Sequence, residues 1–333
     1  MSLFTRRERN QQLGKGKLIR YFSYAIGEIL LIVVGVLLAV KINTEVADSK
    51  NRAAIQTTYS QLFQDLGEDL KKAKQRLRHY ARKDSLIYEV MNDRVTYDDY
   101  MEDSNLQLRT IVTSYQVLNI QDQSFKSLMA LNDKVTLRQG ELLDMVKQLY
   151  IDKKENVDRN NSYMTNMVIK NIDWMKLNTS WFSNFYFTEK PPTKVQIEFY
   201  QNSDVYRNLL AEYSQTGPGN HVQSVLSYYH FATQVHAEMG KFLAIGDTLL
   251  YDSKQYEQFI GEFTIEGNPL KVVSRDQSLY LQQEPYEERI IPLSSHCFTT
   301  ADGGFYYLTT DSTDQVTGLE IRYGGERYNL QKR

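Results

Sequence analysis

Five histidines and one cysteine are the side chains best suited to catalysis or metal binding, and their spacing argues against both. His79, His221, His230, His236 and His296 are scattered along the chain. His230 and His236 differ by six positions, which on a helix turns the rings to opposing faces, so a zinc site would need ligands from distant segments. Each reads as a surface or satisfied core histidine. Cys297 follows His296, but adjacent side chains on a strand point to opposite faces, so the two do not pair. A single cysteine also makes no intrachain disulfide. The sequence contains no Gly-x-Ser-x-Gly elbow, Ser-x-x-Lys, His-Glu-x-x-His or phosphate-binding glycine loop; Leu13-Gly14-Lys15-Gly16-Lys17 is basic but lacks P-loop spacing. The expectation is a non-enzyme with no catalytic residue, no metal and no cofactor.

Two other groups of residues have chemistry to offer. Glu28 stands inside the run Ala25–Val40, AIGEILLIVVGVLLAV. A carboxylate there is protonated, paired with a partner's polar group, or close enough to the headgroups to reach water. Gly27, Gly35 and Ala39 are spaced by eight and four, which returns them to nearly one helix face, and Gly35-x-x-x-Ala39 is a small-x-x-x-small pair that lets a second helix approach. Gly27 adjoins Glu28, so a helix packed on that face passes close to the carboxylate. Tyr228-Tyr229-His230-Phe231 is an aromatic patch in a chain with 24 tyrosines. Tyr228, Tyr229 and Phe231 are candidate contacts for a ligand or partner, with core packing as the alternative.

These residues need elements to hold them. Residues 21–42 form an apolar stretch that as a helix covers about 33 Å, enough for a hydrocarbon core of about 30 Å. Ahead of it stand Arg6, Arg7, Arg9, Lys15, Lys17 and Arg20 against Glu8 alone, a net +5 over residues 1–23. The chain total is −2, leaving −7 for residues 24–333. A short basic flank stays cytoplasmic, which predicts a single-pass protein in a bacterial inner membrane with its tail inside and its body in the periplasm. The basic tail is accounted for by the adjacent membrane, and no nucleic-acid role is expected. The alternative is a cleaved signal peptide that frees residues 44–333. The helix face predicts a homo-oligomer or a membrane-protein partner.

Beyond the membrane, Tyr59, Leu62, Leu66, Leu70, Ala73, Leu77 and Tyr80 recur in steps of three and four, a helix stripe that suits either a short coiled coil or one wall of a bundle. A loop is expected over 92–103, then helices over 104–118, 141–150, 152–181, 194–213 and 221–250. Pro191-Pro192 and Gly217-Pro218-Gly219 act as breaks. Near residue 252 the period drops from 3.6 to 2. Eight candidate strands follow (260–265, 270–274, 278–282, 289–293, 297–300, 305–310, 318–323 and 327–330), which suits an antiparallel meander closed into a small barrel, filled by its own side chains or leaving a shallow ligand cup. The expected fold class is α+β: basic tail 1–20, transmembrane helix 21–42, helical extracytoplasmic domain 43–252 and barrel-like domain 253–333.

Tyr24-Ala25-Ile26-Gly27-Glu28-Ile29, the apolar run and Ala39-Val40-Lys41-Ile42-Asn43 resemble the opening of a family of single-pass bacterial inner-membrane proteins of no assigned activity. The Leu-rich block from Ser124 to Tyr150, which includes Leu128 and Leu137, is similar to theirs. Thr44-Glu45-Val46 departs from the family's pattern of an Asn and a Trp. The resemblance implies inner-membrane anchoring and a largely helical extracytoplasmic part. Tyr256-x-x-Phe259-Ile260-Gly261-x-Phe263 and Val316-Thr317-Gly318-Leu319-x-Ile321 resemble the small lipocalin-like β domain appended to some β-lactamase-like hydrolases. That resemblance brings no catalytic residues. Together these readings predict a membrane-anchored interaction or scaffold protein, with a ligand-binding sensor acting through a membrane partner as the alternative and an enzyme of unrecognised type as the third reading.

Overall fold

The structure is a computed structural model that describes residues 5–131, 140–186, 191–245, 253–265, 268–275, 278–323 and 326–333. The chain is α+β and divides into two compact units, residues 1–58 and 59–333. Helix α1, Thr5–Met91, contributes to both. In the first unit every residue from Phe22 through Lys50 is exposed. An 18-residue window within this helix has mean hydropathy 2.5 and no buried residue, long and apolar enough to cross a membrane.

The second unit is built on the remainder of α1. The stripe residues Tyr59, Leu62, Leu66, Leu70, Ala73, Leu77 and Tyr80 are all buried, which makes this stretch a bundle wall. It packs on α9, Val222–Leu243: Phe63 stacks on His236 with centroids 3.9 Å apart, and Tyr59 meets Phe242 at 5.1 Å. Between them run α2 (Tyr97–Met101), α3 (Gln123–Met129), α4 (Gly140–Gln148), α5 (Lys154–Asn178), α6 (Phe182–Tyr186), α7 (Lys194–Asn202) and α8 (Asp204–Ser214).

Several helix limits differ from the sequence expectation, each for a local reason. Residues 92–103 are not all loop, because Thr96 and Asp99 cap each other to start α2. Residues 104–118 are turns rather than helix: Leu106 has φ 55°, and the Asp103 carboxylate takes the N–H groups of Gln107, Leu108 and Arg109. The two helices expected at 141–150 and 152–181 are joined by one wide turn, Leu149–Lys153, and α5 ends at Asn178. The helix expected at 194–213 splits at Ser203, whose extended backbone ends α7 and whose hydroxyl caps α8. Gly217-Pro218-Gly219 does not break the chain. It sits in a second wide-turn segment, Gln215–His221, between α8 and α9, where a Cβ on Gly217 would come within 3.1 Å of the Tyr80 ring. Helix α9 ends at Leu243, followed by Ala244 at φ 56°. Leu137, Phe187, the helix end expected at Leu250, the 252 boundary, and the turn residues at 267, 276–277 and 324–325 lie outside the described residues.

Among the described residues nine antiparallel strands follow: β1 (Gly261–Ile265), β2 (Asn268–Arg275), β3 (Ser278–Gln283), β4 (Tyr286–Arg289), β5 (Ile291–Pro292), β6 (Cys297–Thr299), β7 (Phe305–Thr310), β8 (Val316–Tyr323) and β9 (Glu326–Lys332). The sheet order is β4-β3-β2-β1-β9-β8-β7-β6-β5. The segment expected as one strand over 289–293 divides at Ile290, with β4 on β3 and β5 on β6. The two ends of the sheet are therefore neighbours in the chain, and the barrel is nearly closed. Phe259, Phe263, Leu279, Phe298, Leu319 and other apolar residues fill its interior; Phe298 stacks on Tyr306 at 4.8 Å.

Candidate functional site

Gly27, Glu28, Gly35 and Ala39 all lie exposed on α1. A Cβ added at Gly27 or Gly35 would have nothing within 4 Å. The aromatic patch is not brought together as a surface. Tyr228 is fully buried, Tyr229 and Phe231 are half-buried, and Phe231 lies under the Lys153 ammonium at 5.9 Å. The barrel interior and the surroundings of Tyr228, the two places where the sequence allowed a ligand, are packed with side chains.

The histidines sit apart. His221 is buried with Nε2 2.9 Å from Asn161 Oδ1, and burial lowers it to about 4. His79 and His230 are likewise lowered to about 4 by burial. His236 stacks on Phe63, and exposed His296 meets its neighbour Ser295. Cys297 is buried, its thiol pushed up to about 12 by burial. Among the described residues no three His, Cys, Asp or Glu side chains are grouped to hold a metal.

A different site appears where the last turns of α1 meet the barrel. Arg78, Ala81, Ser85 and Glu89 recur at helical spacing and face the strands. Arg78 Nε donates to the Leu293 carbonyl, Tyr307 Oη to the Ala81 carbonyl at 3.0 Å, and Arg322 Nη1 to Ser85 Oγ. Arg327 Nη2 lies 3.5 Å from Glu89 Oε1. Asp84 and Tyr88 occupy the adjoining face of α1. Arg322 and Arg327 are direct partners across β8 and β9, a like-charge pairing that needs compensation. Glu320 supplies it, taking Arg322 Nε and, at 3.1 Å, Arg327 Nη1. The guanidiniums lie over Tyr307 at 3.7 Å and over Tyr88 at 3.3 Å.

Beside this network is a cavity of about 440 Å³, within the range of small-molecule sites. Asp84, Arg322, Arg327, Asn220, Pro218 and Gly303 are among its walls. Gly303, at φ 88°, lies on the loop before β7, which Asp302 organises by accepting from Gly304 N–H (2.9 Å) and Tyr306 Oη (2.6 Å). Gln223 Nε2 ties the loop to α9 through the Asp302 carbonyl at 2.8 Å. Asp84 makes no hydrogen bond or ion pair among the described residues. Burial raises its carboxyl to about 6 against the opposing pull of Arg322 and Arg327.

Sequence reasoning missed this site because its walls come from four distant stretches, with Asp84, Pro218, Gly303 and Arg327 each isolated in sequence. One signal was present. Arg322 and Arg327 flank a Gly-Gly pair in the sequence, a spacing that suits facing positions on a hairpin, and two facing arginines imply nearby carboxylates. No protein-family model matches the chain, and no curated protein matches it.

Proposed function

We propose that the chain is a membrane-anchored interaction protein. Residues 21–42 span the inner membrane, the basic tail 1–20 faces the cytoplasm, and the body faces the periplasm. The likeness of its opening to the single-pass family, and of its barrel to appended lipocalin-like domains, belongs to the same reading. One observation carries the anchor: between Phe22 and Val46 the large apolar side chains, Ile29 to Val34 and Val36 to Leu38 in continuous runs, all stand exposed. At about 1.5–3 kcal/mol each to keep in water, they amount to tens of kcal/mol that lipid would recover. The open face of Gly27 and Gly35 supports a second helix as the partner, either another copy or a different membrane protein, with Glu28 beside the contact. Photocrosslinking from position 31 in native membranes tests this. Crosslinks lost in a Glu28→Gln, Gly35→Leu double variant support it; unchanged crosslinks overturn the contact.

A further inference from the structure

We propose that the cavity between α1, the wide-turn segment after α8 and the β8–β9 hairpin binds a neutral, hydroxyl-rich molecule of monosaccharide size. The site lies wholly within residues 59–333 and does not depend on the membrane reading.

The polar groups on its walls define what the cavity needs. Asp84, an acceptor when ionised, has no hydrogen-bond partner among the described residues. Arg327 also lines it, but its Nε and Nη2 are shut off from solvent, Nη2 3.5 Å from Glu89 Oε1, so it offers an occupant charge rather than an open N–H. An occupant must therefore donate to Asp84 and can accept from the Asn220 amide. A hydroxyl group does both. A plain carboxylate suits Arg327 and is repelled by Asp84; a plain ammonium suits Asp84 and is repelled by Arg322 and Arg327. A zwitterion would need separated positive and negative ends, but Asp84 feels both arginines and Glu320 together, so the charges are intermixed. Asn220, which also lines the cavity, carries a donor and an acceptor of its own. Pro218 gives the apolar wall that a sugar ring's C–H face requires. Asp84 held near 6 is partly protonated close to neutral pH, and a ligand that donates to it favours the ionised form.

The test is a binding titration of the full chain in detergent, by saturation-transfer NMR and calorimetry. The probes are D-glucose, D-galactose, N-acetylglucosamine and myo-inositol, with citrate, cadaverine and glycine as charged comparisons. At least one hydroxylic probe should bind saturably, more tightly than all three charged probes. Asp84→Asn should weaken it at least tenfold. Because that variant touches the ion network, Gly219→Phe is the second: it places a ring into the cavity from a position where a Cβ meets only the Ser214 carbonyl, at 3.4 Å. Its thermal midpoint should stay within about two degrees of the parent while binding is lost. Absence of saturable binding by all four hydroxylic probes, tighter binding of a charged probe, or binding that survives Gly219→Phe would overturn the proposal.

Discussion

Removing the Asn161 side chain should undo the joint between three segments of the helical body. Asn161, on α5, is buried. Its Nδ2 donates to the Leu118 carbonyl at 2.9 Å, and its Oδ1 accepts from Leu118 N–H at 3.2 Å. That fixes the amide's orientation, so His221 Nε2 carries a proton and donates to the same oxygen at 2.9 Å. Asn161→Ala leaves three buried groups without partners: Leu118 N–H, Leu118 C=O and His221 Nε2–H. Each costs about 1–3 kcal/mol, reduced where water enters the vacated space, so a loss of about 3 kcal/mol is expected. Urea unfolding in detergent, followed by the fluorescence of Trp174 and Trp181, should show a lower midpoint at an unchanged slope. Asn160→Ala is the control, since Asn160 Nδ2 bonds only within its own helix, to Asn156. It should cost less than about 0.5 kcal/mol, as surface changes usually do. An Asn161→Ala effect below about 1 kcal/mol, or one equal to the control, would refute the reasoning.

Three further outcomes follow from the same structure. Gly318→Ala places a Cβ 2.2 Å from the Leu330 backbone oxygen and 2.9 Å from Thr309 Oγ1, so thermal unfolding should show a loss of about 2 kcal/mol or more; a neutral result would contradict the strand spacing. His79, His221 and His230 are each lowered to about 4, below the unfolded value, so their penalty is absent above pH 6.5 and grows as pH falls from 6.5 to 4. Asp84, raised to about 6, acts oppositely, but three groups outweigh one. The melting temperature should therefore fall between pH 7 and 4.5, and a rise would count against the buried histidines. Cys297 is 5% exposed with its thiol pushed up to about 12, so a thiol reagent should label it only after denaturation.

Much of the fold could be read from the chain, because its strongest signals are periodic. The stripe from Tyr59 to Tyr80 lies buried in the bundle, and the period-2 stretches after residue 260 form antiparallel strands. Tertiary context overrode local signals elsewhere. Gly217-Pro218-Gly219 has turn chemistry, yet continuous helix on both sides and the Tyr80 ring hold it in a wide helical turn. Asp103 converts a segment expected as helix into turns by taking three backbone N–H groups. The patch around Tyr228 left ligand contact and core packing open in the sequence; helical spacing puts Tyr228 in the core and divides it from Tyr229 and Phe231. The cavity was invisible because it depends on how α1 meets the barrel, and the barrel-facing series Arg78, Ala81, Ser85, Glu89 is polar but for Ala81 and shows no apolar periodicity.

The most direct test of the anchor is density flotation of alkaline-washed membranes from cells expressing the full chain. The account predicts that the intact protein rises with the lipid fraction. Recovery of the body at the bottom of the gradient, free of lipid and shortened by its first forty or so residues, would contradict it.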